Sequence, residues 1–441
     1  MASGVRDFNV TLASRLALLA IGLGTQSCLA WVLGPSGRGA YAMCLVFASI
    51  LSLVFMIGSD VACIYYVASK RFSLSQGVVQ TFVSGGIGSV LAVGAGVLVL
   101  QLPLEFVTKA GRESLYLALV SIPIGFWGGT LFNLLVALQE FVSYAIVATL
   151  ASLVQLALIL GLVWGLDWGV NGALLATIAQ NVLTMGMLLV LFRRRHGLQW
   201  VKPTVSGLWE TFHYGIRYYL GKISNEVNFQ MGTMILSMTA PRDLIGLFDM
   251  AAQLTARAMT LPDVLATIMV PRVAGDPQGR PALVAQCARV VAVVCGAMLL
   301  VLVIFATPIV RILFSPAFLP SVPLIRILAA GVFIRCAAKI FATYLTCTDR
   351  PGLASAATAS GMVVNVALLL ALMPVIGLAG AAVAMVGNYV VSSAILTIGF
   401  QRISGLGVRA TWAPRWSDWA PLAAVWRRVR GRAAPVAADR P

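Results

Sequence analysis

Long apolar runs alternate with short polar stretches along the whole chain. Runs such as 77–100 and 290–306 show no strict alternation of apolar and polar positions. Strands of a membrane barrel would alternate, because one face meets lipid and the other the lumen. A run of about 20 apolar residues at 1.5 Å rise per residue matches a hydrocarbon core of about 30 Å. Only helices and closed barrels satisfy the backbone inside lipid, so the pattern predicts transmembrane helices. We place spans at 9–33, 40–64, 77–101, 115–138, 144–165, 170–192, 211–239, 244–270, 286–310, 321–346, 353–374 and 378–400. The linkers are too short for an extramembrane domain. The tail from Gln401 is the exception: it is basic, and 419–432 reads either as an interfacial helix or as an unstructured basic tail.

Composition agrees with a membrane protein. Sixty per cent of the 441 residues are hydrophobic, ten per cent are charged, and the mean hydropathy is +0.93. That apolar excess cannot be covered by so little charge and must face lipid. The net charge of +16 fits cytoplasmic loops better than a nucleic-acid surface, so no nucleic acid is expected. Lys70, Arg71, Arg193, Arg194, Arg195, Lys202, Arg272, Arg280 and Arg350 share a side with the tail. The opposite loops hold only Arg38, Lys109, Arg112, Arg242 and Arg311. The positive-inside rule then puts both termini in the cytoplasm, in a multi-pass inner-membrane protein. The seven cysteines form no CxxC pair. No disulfide, metal or cofactor is expected. The first span reads as retained, without a clean cleavage site.

The two halves repeat. Asp167-Trp-Gly-Val-Asn-Gly-Ala-Leu-Leu-Ala176 resembles Val375-Ile-Gly-Leu-Ala-Gly-Ala-Ala-Val-Ala384, and the same offset lays Ala151-Ser152 over Ala359-Ser360. The turn Gly34-Pro-Ser-Gly-Arg-Gly-Ala-Tyr41 resembles Ala240-Pro-Arg-Asp-Leu-Ile-Gly-Leu-Phe248. The expected architecture is all-α and polytopic, about twelve helices in two pseudo-symmetric six-helix lobes. Residues 1–200 form the first lobe, 201–402 the second, and 403–441 a basic cytoplasmic tail. Two similar lobes around a central site can rock and expose it to each face in turn.

The chain resembles the oligosaccharide and polysaccharide flippases of the multidrug/oligosaccharidyl-lipid/polysaccharide export superfamily. The resemblance rests on the first-loop turn, on Ile268-Met-Val-Pro-Arg272 at the end of span eight, and on Ile309-Val-Arg-Ile-Leu-Phe-Ser-Pro-Ala-Phe318 between spans nine and ten. It covers roughly residues 8–402. Ser315 stands where many members have Gly, and the two extra C-terminal helices of lipid II flippases are absent. The resemblance implies translocation of a polyprenyl-pyrophosphate-linked glycan across the membrane through a V-shaped central cavity. Membrane lipids, a polysaccharide polymerase and glycosyltransferases are the partners it suggests. The motifs leave open a lipid II flippase-like protein and an ion-coupled exporter of drugs or small molecules.

Charge inside a span is costly, so each such residue needs a partner or water. Cations outnumber acids, which suits a diphosphate: Arg offers a fork to phosphate and Lys a point charge. The candidate ligand cations are Arg15, Arg217, Lys222, Arg257, Arg335 and Lys339. Arg15 also fits the cavity-lining cation that the resemblance implies in span one. Lys222 and Glu226 share a helix face and either pair with each other or act separately. Arg335 and Lys339 share a face of span ten, where they need an anion or an acid from elsewhere. Glu226, Asp60 and Asp249 are the candidates for ion coupling. Asp60 also reads as a helix-end group, and Asp249 and Arg257 as pairs with neighbouring helices. Arg38 and Arg242 read as loop residues. A cation exporter would favour acids over bases. A membrane enzyme would need a convergent acid/His site or a nucleotide loop, and neither is evident; no enzyme activity is expected.

Overall fold

The computed structural model describes residues 2–263, 265–266, 281–348 and 350–413, with 415 and 418. The side chains of 2–16, 141, 217–229, 231 and 351 lie outside that description. Among the described residues the chain is helical throughout, with no strand. The helices are α1 (Ala2–Met56), α2 (Ser59–Ala68), α3 (Leu74–Gln101), α4 (Glu105–Ala110), α5 (Arg112–Ala137), α6 (Phe141–Ile159), α7 (Gly169–His196), α8 (Val205–Thr239) and α9 (Arg242–Ala256). They continue as α10 (Pro281–Ile304), α11 (Ala306–Leu313), α12 (Val322–Cys347), α13 (Pro351–Ile376), α14 (Leu378–Ser404) and α15 (Val408–Trp412). This is a polytopic all-α membrane protein.

Nine of the described helical stretches are long and apolar enough to cross a membrane. One of them, Ala17–Met56, has 40 apolar-rich residues, about 60 Å of helix or twice a hydrocarbon core. Gly34 divides it: φ 63° and ψ −176° interrupt the helical backbone just before Pro35. A glycine adopts that conformation without a Cβ penalty. Spans one and two of the sequence reading are therefore joined directly, where a loop is expected. Span two is broken again at Ile57 (φ 43°) and Gly58 (φ 66°). A β-branched residue at positive φ is strained, by about 1–3 kcal/mol. Its continuation, α2, carries Asp60 in its first turn, where the helix dipole favours an anion.

By contact the chain forms two compact units, Met1–Ala251 with Thr307–Val322, and Ala252–Ala306 with Pro323–Pro441. In the first, Val67, Val78, Leu131, Leu134, Val147, Leu188 and Phe192 share a buried apolar cluster from α2, α3, α5, α6 and α7. The turn before α6 is tied to the end of α7: Glu140 meets His196 Nε2 at 2.6 Å and Arg195 Nη1 at 3.4 Å, and Ser143 Oγ donates to it at 2.6 Å. Burial pushes the Glu140 carboxyl up, but the hydrogen bonds of Ser143 and His196 and the neighbouring charges outweigh it and hold it below the usual range.

In the second unit, the start of the basic tail folds back onto α10. Arg289 on α10 and Asp418 are 7% and 4% exposed and form a bidentate pair, with nitrogen–oxygen distances of 2.7 and 2.6 Å. Arg289 also donates to the Ala410 carbonyl, Gln286 Nε2 to the Asp418 carbonyl at 3.3 Å, and the Arg415 amide to the Asp418 carboxylate at 2.8 Å. Hydrogen bonding by Arg289 holds the Asp418 carboxyl below its usual range, against the opposing effect of burial. The Trp412 ring packs edge-on against Phe341. The interfacial helix considered for 419–432 lies outside the described residues.

Candidate functional site

The repeated turns recognised in the sequence meet each other in the first unit. A Cβ on Gly39 would overlap the Arg242 carbonyl, and one on Gly246 would overlap the Pro35 carbonyl. Two backbones thus cross at van der Waals distance, which only glycine permits. Beside the crossing, Arg38 is 2% exposed. Its Nε lies 3.3 Å from Asp249 Oδ2 on α9, and its Nη1 donates to the Gln26 carbonyl at 3.4 Å. Arg38 is therefore a buried helical residue, not a loop cation. Continuation of α1 past Gly34 turns it into the protein. Arg242, half-buried, donates to the Thr108 carbonyl at 3.0 Å.

The same helices approach again at the break in span two. A Cβ on Gly58 would clash with the Gly215 carbonyl on α8, and one on Gly215 with the Ile57 carbonyl. Gly39 and Gly58 stand about 28 Å apart along a helix rising 1.5 Å per residue, close to the thickness of the hydrocarbon core. Aromatic rings surround this second crossing. Tyr65 stacks on Tyr214 with centroids 4.4 Å apart, Tyr66 lies against Tyr214, and Arg71 pairs with Glu210 at 3.3 Å.

Between the two crossings, α1, α5 and α7 enclose a cavity of about 350 Å³, lined by Ser49, Ser52, Ser121, Phe126, Thr177 and Asn181 among others. A second cavity of about 260 Å³, between α5, α6 and α7, shares Asn181 and includes Gly129, Phe132, Ser152, Gln180 and Thr184. Among the described residues, none that lines either cavity is ionisable. Thr177 gives its proton to the Ala173 carbonyl, so it accepts from Tyr41, 2.9 Å away. Tyr41 thereby joins the first crossing to the cavity wall.

The candidate cations are distributed differently. Arg15, Arg217 and Lys222, with Glu226, have side chains outside the described residues; the last three lie on α8. In the second unit, Arg335 on α12 sits over the Tyr389 ring, 4.8 Å from its centroid. One turn on, Lys339 Nζ meets Asp263 Oδ1 at 3.1 Å. The acid that this pair of like charges requires is thus Asp263 for Lys339, while Arg335 faces an aromatic quadrupole. Arg257 occupies the short 3-10 segment Arg257–Met259 that follows α9. Asp249 faces Arg38, and Asp60 stands at the other crossing. Sequence reasoning passes over Gly39, Gly246 and Asn181. The paired turns contain the first two, and Asn181 is visible as an amide in the middle of an apolar run.

Comparison with known proteins agrees with this architecture. The lipid II flippase MurJ in an inward closed conformation shares 14% identity, over 96% of this chain and 93% of that one, at a TM-score of 0.72. An inward-facing multidrug resistance MATE family transporter of the MOP superfamily shares 15% identity, over 88% and 98%, at 0.66. An outward-facing MATE family transporter of that superfamily shares 16%, over 91% and 95%, at 0.60. At such identities these likenesses show a shared fold. No curated protein matches the chain in sequence at a significant level. The family described as polysaccharide biosynthesis protein matches residues 5–273. That match runs over more than half of the sequence, and the chain belongs to this family of polysaccharide biosynthesis proteins.

Proposed function

We propose that this protein is a transporter, not an enzyme, that flips a polyprenyl-pyrophosphate-linked oligosaccharide from the cytoplasmic to the outer leaflet of the inner membrane by alternating access. The observation that carries the reading, beside family membership, is the pair of glycine crossings at the two ends of span two. They join the first half of the repeat to the opening helices of the second. A large amphiphile crosses without a leak only if one seal holds while the other opens. In this reading the two repeat lobes are 1–200 and 201–402, both termini and the tail 403–441 are cytoplasmic, and the Gly39–Gly246 crossing is the outer seal. Arg15, Arg217, Lys222, Arg257, Arg335 and Lys339 share the diphosphate in a wet path. Distributed cations bind it weakly enough for release, whereas a closed dry cage would trap it. Asp249 is the coupling acid most directly tied to the seal: a proton or cation taken there releases Arg38. Glu226 and Asp60 are the other coupling candidates, and a polymerase and glycosyltransferases are the proposed partners.

The test is genetic and biochemical. Deletion is expected to abolish a surface or secreted polysaccharide while its lipid-linked precursor accumulates on the cytoplasmic side. Arg38→Ala and Asp249→Ala are expected to lower flipping at least tenfold at equal protein level, and the exchange Arg38→Asp with Asp249→Arg to recover part of it. A precursor that reaches the outer leaflet normally in the deletion strain would refute the flippase reading in favour of a small-molecule exporter.

A further inference from the structure

We propose that the paired cavities centred on Asn181 are a binding site for a neutral polyhydroxylated group, a sugar ring of the lipid-linked glycan, and not for its phosphates. The proposal rests on the function above and adds to it where the glycan sits.

Four polar side chains define the site. Ser52 on α1, Ser152 on α6, and Gln180 and Asn181 on α7 line the two cavities, and their side chains make no hydrogen bond among the described residues. All four are half-buried. Asn181 lies near the middle of α7, which runs Gly169–His196, and therefore near the middle of the hydrocarbon layer. An amide facing lipid at that depth would cost several kcal/mol, and Asn181 instead faces the two cavities. Two amides and two hydroxyls that open onto the cavities are free to bond a polar guest, and their chemistry says which kind. Each amide both donates and accepts, and so does each hydroxyl. A sugar hydroxyl does the same. A diphosphate only accepts, and the described lining offers it no cation, without which a mid-membrane site for it would be prohibitively costly.

The shape agrees. Phe126 and Phe132 contribute apolar faces, as the CH side of a sugar ring requires. Each cavity alone is near the lower end of the range of about 300–1,000 Å³ for small-ligand sites, and the two that share Asn181 fall within it together. Glycines on α5 make the room: a Cβ on Gly129 would meet nothing within 4 Å, and one on Gly125 would only touch the Asn181 amide. Tyr41 connects this wall to the crossing through Thr177, so occupancy of the site and the state of that crossing share one hydrogen bond.

The experiment uses the full chain in nanodiscs and two probes: a polyprenyl diphosphate, and the same lipid carrying one N-acetylhexosamine. Two or three neutral hydrogen bonds correspond to at least about a tenfold gain in affinity for the sugar-bearing lipid. Asn181→Leu, which removes the amide, and Gly129→Leu, which fills the space while leaving every polar side chain in place, are each expected to cut that gain to under about twofold. Both are expected to leave the affinity for the bare lipid unchanged, which also certifies their folding. A gain that survives both variants, or no gain in the unaltered protein, overturns the sugar site while leaving the flippase reading intact. If neither lipid binds the unaltered protein, the function on which the site depends falls with it.

Discussion

The last two spans of each half make an instructive contrast. The repeat lays α6–α7 over α13–α14, and its offset sets Gln180 over Asn388. In the second pair three glycines within the helices are filled. A Cβ on Gly361 would overlap the Asn388 amide oxygen, one on Gly387 would overlap Leu368, and one on Gly380 would press on the Leu372 backbone. Asn388 is fully buried. In the first pair, Gly161 and Gly186 would meet nothing within 4 Å, and Gln180 faces a cavity. The same supersecondary unit is close-packed around Asn388 in one half and opens onto a cavity beside Gln180 in the other. Helix order fixes neither state; the side-chain volume set opposite a few small residues does.

The second half has a further tie, the Arg289–Asp418 clasp, and breaking it is expected to have the largest effect. Asp418→Ala leaves a buried guanidinium without its counter-ion, a loss of about 3–5 kcal/mol. It is read as a lowered unfolding temperature in detergent and as new protease sensitivity after Ser404. Next comes the close packing itself: Gly361→Ala forces overpacking against Asn388 and is expected to destabilise by about 1–3 kcal/mol. A change of the same kind in the first pair, Gly186→Ala, should raise helix stability by about 0.5–1 kcal/mol; a loss as large as that of Gly361→Ala would erase the contrast. Smallest is the effect of acid. The Asp418 carboxyl titrates below its ordinary value of 3.8, so its contribution is complete above that value and is lost as pH falls through the lower folded one. Between pH 7 and 5 the contribution of this group to the unfolding temperature should stay full and constant. Below pH 4 the difference between the intact chain and Asp418→Ala should narrow.

Much of the fold is legible in the apolar runs, since length and hydrophobicity alone select membrane helices. With α1 divided at Gly34, and with α8 and the α9 region added to the remaining apolar helices, the described chain accommodates the twelve passes read from the sequence. What the runs do not carry is backbone direction at single residues. Gly34-Pro35 looks like a loop because both residues favour one, yet helix resumes at once and buries Arg38. Ile57 hides the break in span two, because a β-branched residue gives no sign of positive φ. Asp418 is one of few acids in a basic tail, a hint that it has a partner, but its separation from Arg289 leaves the pairing to tertiary packing. The cations on α8 were legible as a polar face, and their surroundings are not a property of sequence.

The Gly39–Gly246 crossing has a historical reading. Each glycine is held empty by a carbonyl from the other's turn, and the two contacts correspond under the repeat to within one residue. That is the form of an isologous interface, in which one patch meets its own copy across a two-fold axis. A six-helix ancestor pairing with itself would have made this contact twice with a single glycine. After fusion the two positions could drift apart only together, since enlarging either one collides with the other's backbone. Relatives of this chain should therefore keep both glycines or lose both.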